Sequence, residues 1–382
     1  MSKNVALLLV LVFLTASCIN VAKPVLSSEE LSEIPWVSKA PMPVAGAYFK
    51  AGVVNDKVYV IKLNVTYEYD LYGWTTKNPM PTPRYDFALV TYQNKIYCIG
   101  GKTDSTPSGT NEVYDPASDS WESKAAMPTP RHGLEANVVN GKIYLISGLV
   151  QHRRFPDVKG TFELTNITEV YDPATDTWTI KAPIPNAASY YSSAVVNNKI
   201  HIISVTQSNP EPLTRTQIYD PETDTWSYGA ASPFPVDMAG GATVAGVTPQ
   251  RIYVIGGRTS GLEVSYNQVY NPENDSWSMG SAMSTARYGL AVAVVNDKIY
   301  AIGGITGSFV TVVQNDRNER YDPLEDKTIP SAPSTSPSPP QDTSTPETER
   351  EPFPTALVAA VSVLITAVVG AGLLVYFKKR KH

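Results

Sequence analysis

Tyr171-Asp172-Pro173-Ala174-Thr175-Asp176-Thr177-Trp178 is one instance of a phrase that recurs along this chain. Tyr114-Asp115-Pro116 leads to Trp121, Tyr219-Asp220-Pro221 to Trp226, and Tyr270-Asn271-Pro272 to Trp277. Asp in first place and Pro in second suit a β-turn. The chain has six tryptophans, and all of them keep this frame: Trp36, Trp74, Trp121, Trp178, Trp226 and Trp277. They are spaced by roughly 40 to 57 residues, the repeat length of propeller blades. One supersecondary unit is therefore written six times, and each tryptophan is expected to be a buried structural residue.

Outward from the turn, two more columns appear. One is a strand of the form Lys-Ile-Tyr-x-Ile, at 57–61, 95–99, 142–146, 199–203, 251–255 and 298–302. Before it come Val-rich segments and the pairs Asn55-Asp56, Asn140-Gly141, Asn197-Asn198 and Asn296-Asp297, which suit two-residue hairpins with positive φ. After it come Gly100-Gly101, Gly256-Gly257 and Gly303-Gly304, where a strand must break into a loop.

On the double glycine, the Tyr-Asp-Pro turn and the trailing tryptophan, residues 35–328 resemble a kelch-repeat β-propeller. The resemblance implies blades of four antiparallel strands, a to d, from the central channel outward. The last repeat reaches Tyr321-Asp322-Pro323 but has Thr328 where tryptophan is due, while Trp36 stands spare at the other end. The expected fold is all-β: a six-bladed kelch-type propeller, its ring closed by the N-terminal strand, plus one C-terminal transmembrane helix.

Composition sets outer limits. The chain has 382 residues, 42% of them hydrophobic, and a formal charge of -5. No basic footprint for nucleic acid is present. Two cysteines, Cys18 and Cys98, make no disulfide framework. Residues 1–22 read as a signal peptide: Lys3, an apolar run from Val5 to Leu14, then small residues. Ala16-Ser17-Cys18 leaves a lipoprotein reading open, against Thr15. Residues 329–354 are rich in Ser, Thr and Pro and read as an unfolded stalk. Residues 355–377 are uncharged and long enough to span a bilayer, and the basic cluster at 378–382 places the C-terminus in the cytoplasm. The propeller is then extracellular. The same tail also resembles a surface-protein sorting signal.

Function is expected in the segments that break the repeat, namely the b–c connections 102–110, 149–166, 204–215, 258–266 and 305–317. The longest carries His152, Arg153 and Arg154. Three arginines, Arg84, Arg131 and Arg287, lie ten residues after their tryptophans in the d–a connections, followed by Tyr85, His132 and Tyr288. An incomplete ring of arginines could grip a carboxylate by forked hydrogen bonds, or could tie neighbouring loops together. Asn64, Asn166 and Asn274 open Asn-x-Ser/Thr sequons, possible glycosylation sites in an exported chain. No catalytic constellation, metal site or cofactor site is read. His201 stands in a tyrosine column and Cys98 in an apolar one, which argues against copper-radical chemistry. The turns lack the glycine of sialidase repeats. The leading expectation is a surface module binding an extracellular protein or glycan through the b–c face. A sugar-processing epimerase or mutarotase and a passive envelope component are the alternatives.

Overall fold

The structure, a computed structural model, describes residues 35–104, 106–152, 160–206, 213–245, 250–307, 312–326 and 328–329. The signal segment, Arg153, Arg154, the apolar span, the basic tail and the stalk from residue 330 onward lie outside the described residues. No helix among the described residues is long and apolar enough to cross a membrane.

The fold consists of six four-stranded antiparallel sheets. The first blade runs from strand a to strand d as Lys50–Val54, Lys57–Lys62, Val65–Tyr69 and Trp74–Lys77. The sixth runs Ala291–Val295, Lys298–Ile302, Asn318–Tyr321 and then Trp36–Lys39. Trp36 lies opposite Tyr321 and Lys39 opposite Asn318, so the N-terminal strand completes the last sheet. The spare tryptophan fills the seat that Thr328 leaves empty.

The repeated columns form the joints between blades. Each strand-b tyrosine meets the strand-c tyrosine of the next blade at ring-centroid distances of 5.9 to 6.3 Å, from Tyr59–Tyr114 round to Tyr300–Tyr69. His201 takes the tyrosine's place in the fourth blade, 6.0 Å from Tyr270. The a–b hairpins turn as their Asn pairs predict, with Asn55 and Asp56 at φ 50° and 60°. Gln93 and Asn94, at φ 49° and 58°, form the same turn in the second blade without the sequence signal.

The tryptophans differ from expectation. Only Trp36 is buried, and the other five are half-buried. Each stacks on the tyrosine opposite it at 4.9 to 5.0 Å. Each also donates its indole N–H to a backbone carbonyl of the preceding blade, as Trp178 does to Ala125 at 2.9 Å and Trp226 to Ala182 at 3.0 Å. Strand d is the outermost strand, so its tryptophan covers the joint from outside. The turn adds a second tie: Tyr171 donates to Asp176 at 2.6 Å, and Asp176 accepts the Ala125 N–H at 2.8 Å. Trp178→Phe keeps the stacking and loses the indole bond. It is expected to lower the unfolding free energy by about 1 kcal/mol, read as a shifted urea midpoint at unchanged slope.

The b–c connections are more regular than the sequence suggests. Four of them form two-stranded ribbons, such as Leu149–Gln151 with Phe162–Leu164. In the fourth blade strands b and c themselves lengthen, as Lys199–Thr206 and Leu213–Asp220.

Candidate functional site

Arg84, Arg131 and Arg287 are all fully buried. Arg84 donates from Nη1 to Glu112 at 2.5 Å, from Nε to the Gly100 carbonyl at 2.9 Å and from Nη2 to the Cys98 carbonyl at 3.0 Å. Arg131 does the same with Glu169, Ser147 and Leu145. Arg287 reaches the equivalent partners with other nitrogens, Nη2 donating to Glu319 at 2.5 Å and to the Ala301 carbonyl at 3.4 Å and Nη1 to the Gly303 carbonyl, while its Nε has no hydrogen-bond partner among the described residues. The second oxygen of each glutamate accepts a hydroxyl, from Thr82, Thr129 and Ser284 respectively. Burial pulls the Arg131 and Arg287 guanidinium groups below their ordinary range, and the paired glutamates push back. This corrects the reading of the three arginines as ligand-gripping groups. Their hydrogen bonds go mainly to the carbonyls where strand b breaks and to a carboxylate of the same blade, and their full burial leaves no surface for a ligand. The alternative, that they tie loops together, is what the geometry shows.

The channel rim lies two residues beyond each arginine position. Tyr48, Asp86, Gly133, Tyr190, Met238 and Gly289 are equivalent, and all six have positive φ, between 48° and 66°. The rim is joined by backbone bonds: Gly133 N–H to Asp86, Tyr190 to Gly133 and Gly289 to Met238, each at 2.9 Å, and Tyr48 to Gly289 at 2.7 Å. Sequence reasoning placed this ring at the arginines, two residues early, with Tyr85, His132 and Tyr288 as their neighbours. Tyr85, His132 and Tyr288 instead pair with Lys102, Leu149 and Ile305, the first residues of the b–c ribbons. The signal available in the sequence was residue type: Gly133, Gly289 and Asp86 favour positive φ, whereas Tyr48, Tyr190 and Met238 do not.

Side chains cluster around Asp86. Lys102 Nζ lies 3.0 Å from its carboxylate, and the Tyr190 hydroxyl donates to it at 3.0 Å. His132 Nδ1 lies 3.5 Å from that hydroxyl and 3.8 Å from the carboxylate. The His132 ring is buried, edge-on to Phe162 at 4.5 Å, and its Nε2 finds no hydrogen-bond partner among the described residues. Burial, with Lys102 nearby, lowers the His132 pKa to about 4, so the ring is neutral. Burial raises the Tyr48 pKa to about 12, with Tyr288 adding to it, and lifts Tyr190 above the ordinary phenol range, with Asp86 adding to it. Arg258 forms a fork with Asp237, at 3.1 Å from both Nε and Nη2, and lies 5.4 Å over the Tyr288 ring.

Inside the rim is a cavity of about 180 Å³, lined by strand-a residues of several blades. It continues outward past Tyr48, Asp86, Tyr190 and Met238 into a wider depression bordered by Lys62, Tyr85 and Lys102. His152 is not part of this cluster: it sits half-exposed on its ribbon, 4.0 Å from Glu163. Asn64 and Asn166 are exposed at equivalent positions before strand c, their carbonyls accepting the N–H groups of Met80 and Ile184. Asn274 is exposed in a c–d turn, and its side chain accepts the Ser276 hydroxyl at 2.6 Å. Cys98 is a buried free thiol, which burial raises well above its ordinary pKa. No group of three or more His, Cys, Asp and Glu able to hold a metal occurs among the described residues.

Sheet order, the joint-forming columns and the sequence-diverse channel mouth define a six-bladed β-propeller of the kelch type. The chain belongs to the Attractin/LZTR1 β-propeller family, which it matches over residues 43–313. It is 27% identical to Kelch-like protein 15 of Danio rerio over 189 residues, 44% of this chain and 31% of that protein. It is 24% identical to Kelch-like protein 36 of Bos taurus over 277 residues, 68% of this chain and 44% of that protein. The chain thus spans less than half the length of these curated relatives. The solved structure of YjhT is similar with a TM-score of 0.59 at 18% identity, covering 72% of this chain and 95% of that one, a likeness of fold alone.

Proposed function

We infer that the protein is a cell-surface binding module whose ligand, a protein or a glycan, docks on the channel mouth and the b–c ribbons beside it. One observation carries this reading. At the rim the backbone repeats six times, but the side chains are Tyr48, Asp86, Gly133, Tyr190, Met238 and Gly289. The other repeated columns are spent on joints between blades, on turns and on the Arg–Glu ties within blades, so diversity is concentrated where a ligand can reach. The mouth offers what recognition surfaces favour: the half-exposed Tyr85 ring, ammonium groups at Lys62 and Lys102, and a buried hydrogen-bonding network beneath. The signal segment, stalk and apolar span would export the propeller and hold it outside the cell. The chain enters at Trp36 and leaves after Ile329 beside the same strand, with Ile329 packed on the cluster that contains Trp36. That edge is on the outer strand, away from the rim.

The test uses the full-length chain, screened against surface-protein and glycan arrays. Tyr85→Ala combined with Lys102→Ala is expected to weaken any captured ligand by at least about tenfold, the loss of roughly 1.4 kcal/mol. Unchanged affinity would remove the mouth as the docking surface. Turnover of a sugar by the same protein would replace the binding reading with the enzymatic one.

A further inference from the structure

Two residues beyond each rim position, strand a approaches the channel axis. The six equivalent residues are Lys50, Ala88, Glu135, Ser192, Gly240 and Ala291. Four are small, and of these Ala88, Ser192 and Ala291 are buried. The other two are long and oppositely charged, and they meet: Lys50 Nζ donates to Glu135 Oε1 from the first blade to the third.

This pair has little structural justification. Its side chains are 24% and 22% exposed into the cavity, so the bond contributes on the order of 0–1 kcal/mol to stability. It joins no adjacent strands. The backbone that carries the carboxylate is nevertheless fixed, because the Glu135 main-chain N–H donates to the Tyr191 hydroxyl at 3.2 Å while that hydroxyl donates to the Ile146 carbonyl. Around the pair Leu89, Leu290 and Val292 form an aliphatic patch in a wall that Tyr48, Tyr190 and Ser193 otherwise make polar. The neighbouring Asp86 is matched by Lys102, leaving the cavity without net charge.

The geometry points to a binding site, between Lys50 and Glu135, for a small zwitterion: a free α-amino acid with an aliphatic side chain. Its carboxylate takes Lys50, its ammonium takes Glu135, and its side chain lies on Leu89, Leu290 and Val292. A ligand with a single charge would satisfy one member of the pair and leave the other half-buried without a partner, which costs affinity. A zwitterion replaces one ion pair by two. The volume is adequate: about 180 Å³, against the roughly 150 Å³ of a cavity that accepts benzene. This site lies beneath the rim and does not depend on the mouth being a docking surface.

Isothermal titration of the full-length chain tests it with four probes: L-leucine, 4-methylpentanoate, isopentylamine and glucose. Leucine is expected to bind saturably, with each singly charged analogue and glucose weaker by at least about tenfold. Glu135→Gln and Lys50→Met are each expected to reduce leucine binding by at least about tenfold. Absence of saturable leucine binding overturns the proposal, as does binding of glucose or of a singly charged analogue as tight as that of leucine. Leucine binding unchanged in both Glu135→Gln and Lys50→Met would also overturn it, because the site would then lie elsewhere. If a channel variant fails to fold, the four probes on the unmodified chain still decide.

Discussion

Arg131→Ala is expected to destabilise the propeller by about 3–5 kcal/mol, the cost of leaving a buried carboxylate without its partner. The partner is Glu169, buried in strand c of the same blade, and three Arg131 nitrogens are hydrogen-bonded in the wild type. The double variant Arg131→Ala/Glu169→Gln should lose less than the single one. The fold has already adopted that solution. The fourth blade has Ala188 at the arginine position and Gln217 at the glutamate position, where Gln217 bonds Asn186 through its side-chain oxygen at 2.9 Å and its amide nitrogen at 2.9 Å. In the fifth, Gln268 bonds Ser232 and Phe234. Chemical denaturation of the wild type, both singles and the double closes the thermodynamic cycle. A single-variant loss below about 1 kcal/mol would show that the pair is not a buried structural unit.

Acid should unfold the protein in a window set by two histidines. His132 and His201 are buried, and burial lowers the pKa of each to about 4. In the unfolded chain they titrate near 6.5, so between about pH 6.5 and pH 4 the unfolded state binds more protons. Stability is therefore full above that window and falls as pH drops through it, by up to about 3 kcal/mol for each histidine. Below pH 4 the histidine contribution levels off. Carboxylates then take over, among them Asp326, where the upward push of burial is outweighed by hydrogen bonds from Ser281, Thr328 and Tyr321. His201→Tyr restores the residue type of its column and should flatten the slope between pH 6.5 and 4 by about half. Thermal midpoints across that range, with and without the substitution, measure it. A slope unchanged in His201→Tyr would mean that His201 is protonated in the folded state.

Much of this architecture was legible in the chain. Trp36 without a partner and Thr328 in a tryptophan's seat revealed the ring closure, because a blade missing its outer strand can be completed only by the other end. Asn55-Asp56 and Gly100-Gly101 marked their turns because positive φ excludes most residue types. The Arg column was visible. What was not visible was that each of these arginines and a strand-c glutamate are two halves of one device. Arg84 and Glu112 are 28 residues apart, and only the folded blade brings Nη1 to 2.5 Å from Oε2.

The rim shows the same limit. Tyr48, Tyr190 and Met238 take positive φ with no local reason to do so, held there by neighbours from other blades. Periodicity, turn chemistry and the count of tryptophans are local properties, and they determined the blades, their number and their order. Which side chain faces the channel, which arginine is sealed inside a blade, and that Lys50 meets Glu135 across the axis depend on contacts between residues tens of positions apart. Those contacts exist only once the six sheets have closed into a ring, so tertiary structure alone decided them.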